Sequence, residues 1–369
     1  MPISVATPIL TQEEVDYCTQ AVLSKRIANG GDVQALDRIE SVTCDMLMAK
    51  SKELGAPTNG GFRFFVKGNR GQELQWWDGA DLLIFENRHT LTDMQFNSAR
   101  CHLGYELLYA FLEAQGIRVK YGKGIGEGEG KARTMEIAVK VIDDHLDTVL
   151  YNYKQKLRQA IFLSGAAGTK NLIGVDGLFP VTGNTTGSIG GRSRSNERFR
   201  HYLKTGVTKD TVMLEFFKMI RSQRRRSGGK KASIIAAGDL FYDMLVDLFS
   251  GTSTVAGKFD YGRARDLALK MGEKYNMAIP QDAFCYEDTL IVNEALFEEM
   301  DTIDTGAAIP WSKRCYSFIT DNFGVVPVMD RDIVKHAMPY NQRLERASLH
   351  GEYVAWCNLP NAQAVMTAA

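Results

Sequence analysis

The sequence predicts an α+β fold built around one long helix. Three observations carry that prediction. Between Lys131 and about Leu163, the residues Met135, Ala138, Ile142, Leu146, Val149, Tyr153, Leu157 and Ala160 recur at three- or four-residue steps. That spacing is the apolar stripe of a single helix, about 50 Å long at ~1.5 Å per residue. From Ala283 onward, short β-type runs alternate with turns: AFCYED, TLIVN, CYSFIT, VVPVM and EYVAWCNL. Helices and strands mix without the regular βαβ alternation of a doubly wound sheet, which favours α+β.

The other elements follow in chain order. Residues 11–54 read as two helices, with Thr11 before Glu13-Glu14 as a capped start and Gly30-Gly31 between them. In the second, Val33, Leu36, Ile39, Val42 and Met46 form one apolar stripe. From Asn59 the run GFRFFVKGNRGQELQWWDGADLLIFEN holds aromatic, β-type segments, with turn signals at Gly68-Asn69-Arg70-Gly71 and Asp78-Gly79. Asp-Gly is a strong hairpin signal, so a hairpin is expected around 64–85. Periodicity does not separate strand from helix in MQFNSARCHLGYELLYAFLEAQGIRVKYGKG, where a long return strand is one option. GKGIGEGEG, residues 122–130, has the composition of a flexible hinge, and SGAAGTKN ends the long helix. After a Gly/Arg-rich stretch at 174–200, TVMLEFFKMIRSQRRR reads as a helix and ASIIAAG as a buried strand. DLFYDMLVDLF reads as a helix beginning on Asp239, and YGRARDLALKMGEKY as another helix. No internal repeat is present.

Composition narrows the function classes. A chain of 369 residues, 44% apolar and 24% charged, is an ordinary globular protein of about two domains. Lys+Arg and Asp+Glu both number 44. That balance argues against a protein whose main task is coating DNA, and it removes self-repulsion between copies. The six cysteines form no CxxC pair and have no histidine at metal-ligand spacing, so they read as buried, reduced thiols of a protein made in the cytosol. The start MPISVATPILTQEEVDYC has no basic n-region and no long apolar run. No stretch approaches ~18 uninterrupted apolar residues, so no membrane partner is expected.

The candidate chemistry is thin. In GKGIGEGEG the glycines alternate and miss the GxGxxG step, and in GAAGTK the lysine follows Thr169 rather than Gly168. Asp143, Asp144, His145 and Asp147 sit on the long helix, but neighbouring residues point about 100° apart, which makes a solvated face. GxSxG is absent, and no cysteine or histidine sits in a catalytic signature. Missing motifs do not exclude an enzyme, because catalytic groups assemble in space, but they leave no positive evidence for one, and no cofactor or metal is expected. The basic run RSQRRRSGGKK (221–231) reads as a solvated helix end, as a patch meeting acidic EALFEEMDTID (294–304) of another copy, or as a contact to DNA. Trp76 and Trp77 are adjacent on a predicted strand and face opposite sides. Either one ring packs on a partner or both are covered within the chain.

The stretch GVDGLFPVTGNTTGSIGGRSRSNERFR, Gly174 to Arg200, holds six glycines and four arginines. It resembles the segment after the long helix in major capsid proteins of tailed bacteriophages, of the Hong Kong 97-like fold. Gly174, Leu178 and Phe179 match the start of that motif, Thr185 to Gly191 its centre, Arg194 its basic residue and Phe199-Arg200 its end. This chain has Arg192-Ser193 where Ile-Asp is usual, and a single aromatic. Softer similarities extend over most of the chain, in DMQFNSARCHLGYELL, IIAAGDLFYDML and LPNAQAVMT.

The resemblance implies residues 1–60 as an N-arm and 61–122 as an extended loop. It implies 123–207 as a peripheral domain with a spine helix, 208–305 as an axial domain, and 306–369 as strands returning to the peripheral and then the axial domain. The function it implies is non-catalytic: self-assembly as hexamers and pentamers into an icosahedral head around double-stranded DNA. The expected location is the virion, after assembly in the host bacterial cytoplasm. Expected partners are other copies, a separate scaffolding protein without N-terminal cleavage, a portal and a decoration protein. Subunit-interface candidates are Trp76, Trp77, Arg192, Arg194, Glu197, Arg198, Arg200, Arg224, Arg225 and Arg226. On this reading the glycines shape a connector and its arginines bond subunits. The alternatives are an encapsulin-like compartment shell and a soluble enzyme whose site assembles in space.

Overall fold

The computed structural model describes residues 9–11, 15, 17–18, 41–49, 61–67, 91–108, 118–120, 131–165, 170–249, 264–270, 279–280, 282–336 and 344–369. In chain order the elements are β1 (Ile9–Thr11), α1 (Val42–Ala49), β2 (Gly61–Lys67), β3 (Leu91–Asn97), β4 (Ala99–Leu108), β5 (Arg118–Lys120), α2 (Lys131–Phe162) and α3 (Val175–Leu178). There follow β6 (Ser188–Ile189), β7 (Arg192–Ser193), β8 (Tyr202–Val207), α4 (Val212–Arg226), β9 (Ile234–Ala237), α5 (Asp239–Phe249), β10 (Phe284–Tyr286), β11 (Thr289–Asn293) and α6 (Leu296–Ile303). The chain closes with β12 (Arg314–Phe318), β13 (Phe323–His336), β14 (Leu344–Cys357) and β15 (Ala364–Ala368). Two compact units share it, one from Met1–Arg38, Arg100–Leu157 and Met329–Glu352, the other from Ile39–Ala99, Arg158–Val328 and Tyr353–Ala369.

The second unit is organised by a six-stranded sheet in the order β10-β11-β9-β12-β15-β8. β9 pairs parallel with β11 and antiparallel with β12, and β15 pairs parallel with β8. Every residue of β9 is buried, which explains its unbroken apolar run IIAA. Phe216 and Met219 of α4 and Phe241, Leu245 and Leu248 of α5 join Ile235, Phe284, Ile291 and Met366 in one core. Gln223 of α4 is also buried, and its amide donates to the carbonyls of Ser317 and Ala362, each at 3.1 Å. Those bonds satisfy a polar group that would otherwise be costly inside a core.

The long helix matches its predicted span closely. α2 has 32 residues, and Ala138, Ile142, Leu146, Val149 and Tyr153 are buried along the expected stripe. The side chain of Met135 lies outside the described residues, and Ile161 and Phe162 bury fully at the end of the helix in place of Leu157 and Ala160.

The predicted hairpin around 64–85 falls mostly outside the described residues. β2 pairs antiparallel with β3 in the register Gly61↔Asn97 to Lys67↔Leu91. Aromatic packing sets that register. Phe64 meets Phe96 edge-on at 6.2 Å and stacks on Trp356 at 5.2 Å. Gly68-Asn69-Arg70-Gly71, Asp78-Gly79, Trp76 and Trp77 lie outside the described residues. Of the ambiguous segment 94–124, residues 94–97, 99–108 and 118–120 are strand, β3 continuing nearly into β4, and the remainder apart from Ser98 lies outside the described residues. Of the two N-terminal helices, the described part includes α1, where Val42 and Met46 bury as expected. The Ser41 hydroxyl accepts the Cys44 N–H at 3.1 Å, an N-cap. Residues 264–270 are helical, within the predicted 261–275 helix.

In the first unit β4 lies at one edge of a three-stranded sheet, β13-β14-β4. Arg100 pairs with Glu352 at 3.0 Å, His102 stacks on His350, and Cys101 contacts the Tyr153 hydroxyl of α2 at 3.3 Å. β1 pairs parallel with β5.

Candidate functional site

The Gly/Arg stretch at 174–200 is folded onto its own chain. At Gly174 an added Cβ would lie 2.3 Å from the Ile161 carbonyl oxygen and 2.4 Å from that of Leu163. At Gly177 it would lie 2.0 Å from the Ser164 oxygen. Glycine is required there because the connector backbone packs against the carbonyl end of α2. The short helix α3 then ends on its own carbonyls, and Arg194 answers them. Its guanidinium donates to the oxygens of Gly177 at 3.1 Å and Leu178 at 2.8 Å. A cation at a helix C-terminus is favourably placed.

β6 and β7 form a hairpin joined by Gly190-Gly191, in the register Ile189↔Arg192. Both glycines have positive φ, 55° and 77°, the conformation that a two-residue turn between twisted strands demands. The Gly190 oxygen accepts the Gln95 N–H of β3 at 3.1 Å. Beside this bond Arg192 donates through Nε to the Asp93 carbonyl at 2.6 Å and pairs with the Asp93 carboxylate. Arg63 of β2 pairs with the same carboxylate at 2.7 Å. The hydrogen bonds from Arg63 and then Arg192 hold the Asp93 carboxyl below its usual range. One aspartate thus ties β2, β3 and the connector together.

A second anchor is buried. Asp176 of α3 pairs with Arg314 of β12 at 3.2 Å. Arg314 is 1% exposed, lies 3.8 Å above the Trp311 ring and donates to the Ile309 oxygen at 2.7 and 2.9 Å. The Tyr316 hydroxyl completes the cluster, donating to Asp176 at 3.4 Å. Burial raises the Asp176 carboxyl even though the Arg314 charge opposes it. At the far end of the connector His201 is 1% exposed and contacts the Pro180 oxygen at 3.1 Å. Burial, then the nearby Arg194 charge, pushes its imidazole down to about 3.

The candidate residues therefore separate. Arg194 is 2% exposed and caps α3. Arg200 donates to the carbonyls of Arg194, at 2.6 Å, and Ser195. With Arg192, these guanidinia brace the connector from within. Glu197 is exposed and Arg198 partly so, on the short 3-10 turn that follows β7. In the basic run, Arg224 pairs with Glu287, Lys231 with Asp288 at 2.8 Å and Lys230 with Asp321 at 3.1 Å. Arg225 and Arg226 are exposed.

The acidic segment 294–304 is used mainly inside the chain. Asp301 accepts the backbone N–H of Trp311 and of Ser312, Asp304 the Trp311 indole at 3.2 Å, and Glu299 the Gln159 amide at 2.7 Å. Glu294 is 1% exposed. The Thr43 and Ser41 hydroxyls face its carboxyl from α1, but neither oxygen has a partner of sound hydrogen-bond geometry among the described residues. Burial pushes it up to about 7, against those hydroxyls and the Arg158 charge. Sequence reasoning missed Asp93, Asp176, Glu294 and Arg314, because their partners lie far along the chain and no local pattern marks them.

Among the described residues, no three His, Cys, Asp or Glu side chains converge as a metal site, and no helix is long and apolar enough to cross a membrane. No protein-family model matches the chain, and no curated protein matches it in sequence. Solved structures do match in shape. A chain of the cyanophage A-1(L) capsid asymmetric unit aligns over 91% of this chain and 95% of its own, at TM-score 0.59 and 12% identity. A chain from Mycobacterium phage Ogopogo aligns over 93% and 99%, at TM-score 0.50 and 10% identity. The fold is thus the α+β, Hong Kong 97-like one expected from the sequence.

Proposed function

We propose that this chain is a major capsid protein, a non-catalytic shell subunit that assembles with copies of itself as hexamers and pentamers into an icosahedral head around double-stranded DNA. One observation carries the reading: the likeness in fold to a chain of a cyanophage capsid over nine-tenths of the molecule. The connector supports it. Its tightest glycines pack against the end of α2 and most of its arginines bond backbone carbonyls, which stiffens it as a shell subunit needs. Of the candidate residues, Glu197, Arg198, Arg225 and Arg226 are the charges left to meet a neighbour, with Trp76 or Trp77 as an apolar anchor. The division into N-arm (1–60), extended loop (61–122), peripheral domain (123–207), axial domain (208–305) and strands returning to the peripheral and then the axial domain (306–369) belongs to the same proposal. So do a separate scaffolding protein, a portal, a decoration protein and residence in the virion.

Expression of the chain alone and with its neighbouring genes, followed by negative-stain electron microscopy, tests the reading. It predicts closed shells or rings of about six copies, from apolar burial with charged pairs setting register. A stable monomer or dimer under every condition contradicts it. Shells that enclose a protein cargo instead of DNA would point to a compartment rather than a phage head.

A further inference from the structure

Two helices of the second unit turn charged faces of opposite sign to solvent. α4 buries Val212, Phe216, Met219 and Gln223. Its opposite face carries Leu214, Lys218, Arg221 and Arg225, all exposed. These residues recur at four-, three- and four-residue steps, one continuous stripe along the helix. Lys218 has an intrahelical partner, Glu215 at 2.9 Å, whereas neither Arg221 nor Arg225 pairs with a carboxylate among the described residues. α5 buries Phe241, Leu245 and Leu248. Its outer face carries Leu240, Asp243 and Asp247, also exposed and at three- and four-residue steps. Lys209 pairs with Asp247 at 3.1 Å, whereas Asp243 pairs with no cation among the described residues.

The two stripes match in design. Each begins with an exposed leucine, Leu214 at 57% and Leu240 at 51% exposure, and continues in a single sign of charge. The observation that carries the inference is the complementarity: one stripe is basic, the other acidic, and each adds one apolar side chain, the kind of charge match that sets register between partners.

We propose that the α4 stripe of one copy docks on the α5 stripe of the next. In this proposal each copy gives α4 to one neighbour and α5 to the other, a head-to-tail contact that repeated rotation closes into a ring. Leucines would pack on the neighbouring helix while Arg221 and Arg225 meet Asp243 and Asp247. This inference rests on the self-assembly proposed above and names the surface that carries it.

Charge reversal tests it on the full-length chain. One variant, R221E/R225E, makes both stripes acidic. A second, D243K/D247K, makes both basic. Each is expected to keep the parent's circular-dichroism melt and to lose the ring or shell peak in sedimentation velocity. An equimolar mixture is expected to recover rings in which the two variants alternate, with even copy numbers only, so six and not five. The variant carrying all four substitutions is expected to assemble by itself. Assembly of either double variant like the parent would overturn the inference while leaving self-assembly intact. So would folded variants whose mixture and fourfold form both stay unassembled. If the parent itself never assembles, the shell reading fails first and this inference falls with it.

Discussion

Glu294 shows what a single buried residue contributes. Its carboxyl is raised from 4.5 to about 7 by burial. A raised carboxyl leaves stability intact below the unfolded-state value and removes it as pH rises through the folded one. Ionised Glu294 should therefore weaken the fold at neutral and alkaline pH by on the order of 3 kcal/mol, at about 1.4 kcal/mol per pH unit. Glu294→Gln is expected to raise the melting temperature at pH 8 and to leave it unchanged near pH 4. Thermal melts of both proteins across that range check this, and an equal effect at both ends would contradict it. Gly190 and Gly187 make a second test. Both have positive φ, but a Cβ at Gly190 would lie 2.9 Å from Met94 Cβ whereas Gly187 faces open space. Alanine at 187 should cost about 1 kcal/mol in backbone strain, and alanine at 190 about 1–3 kcal/mol more by overpacking. Equal losses in chemical denaturation would show that Met94 and Phe96 yield freely.

Among elements, the connector is held by long-range pairs rather than by its own strands. Arg192 and Asp93 are 99 positions apart in sequence, and Arg63 shares the same carboxylate. Asp93→Asn is expected to lower stability only slightly, since the pairs are partly exposed, and the loss should shrink in high salt. Hydrogen exchange should quicken at Gln95, whose N–H bonds to Gly190; unchanged exchange there would mean that the backbone bond holds without the ion pairs. These pairs also mark the limit of what a sequence discloses. α2, α4 and α5 were legible because each buries one face and so writes its period into the residues, and β9 because burial of every residue leaves an unbroken apolar run. The β2–β3 register was not legible, because its aromatic contacts, Phe64 with Phe96 and Trp356, join residues remote in sequence. The Thr-Thr-Gly motif pointed to the right segment and fold. It did not disclose that Arg194 is buried under α3, because burial follows from the tertiary placement of α3 and not from the composition of the loop.

For the whole molecule, charge neutrality and the Hong Kong 97-like fold point the same way. A subunit with equal acidic and basic counts can crowd against its copies without long-range repulsion. It can still display local stripes of either sign, as α4 and α5 do, to set which faces meet. Stiffness has its own source in the anchors at Asp93 and at Asp176–Arg314, which fix the connector to the sheets around it. The central claim is that this chain is built to assemble with itself. The most direct test is the mass of the purified full-length protein by multi-angle light scattering, read across concentration and salt. The account predicts species of about six copies or larger, dissociating as salt screens the helix stripes. A single monomeric mass across the whole range would contradict it.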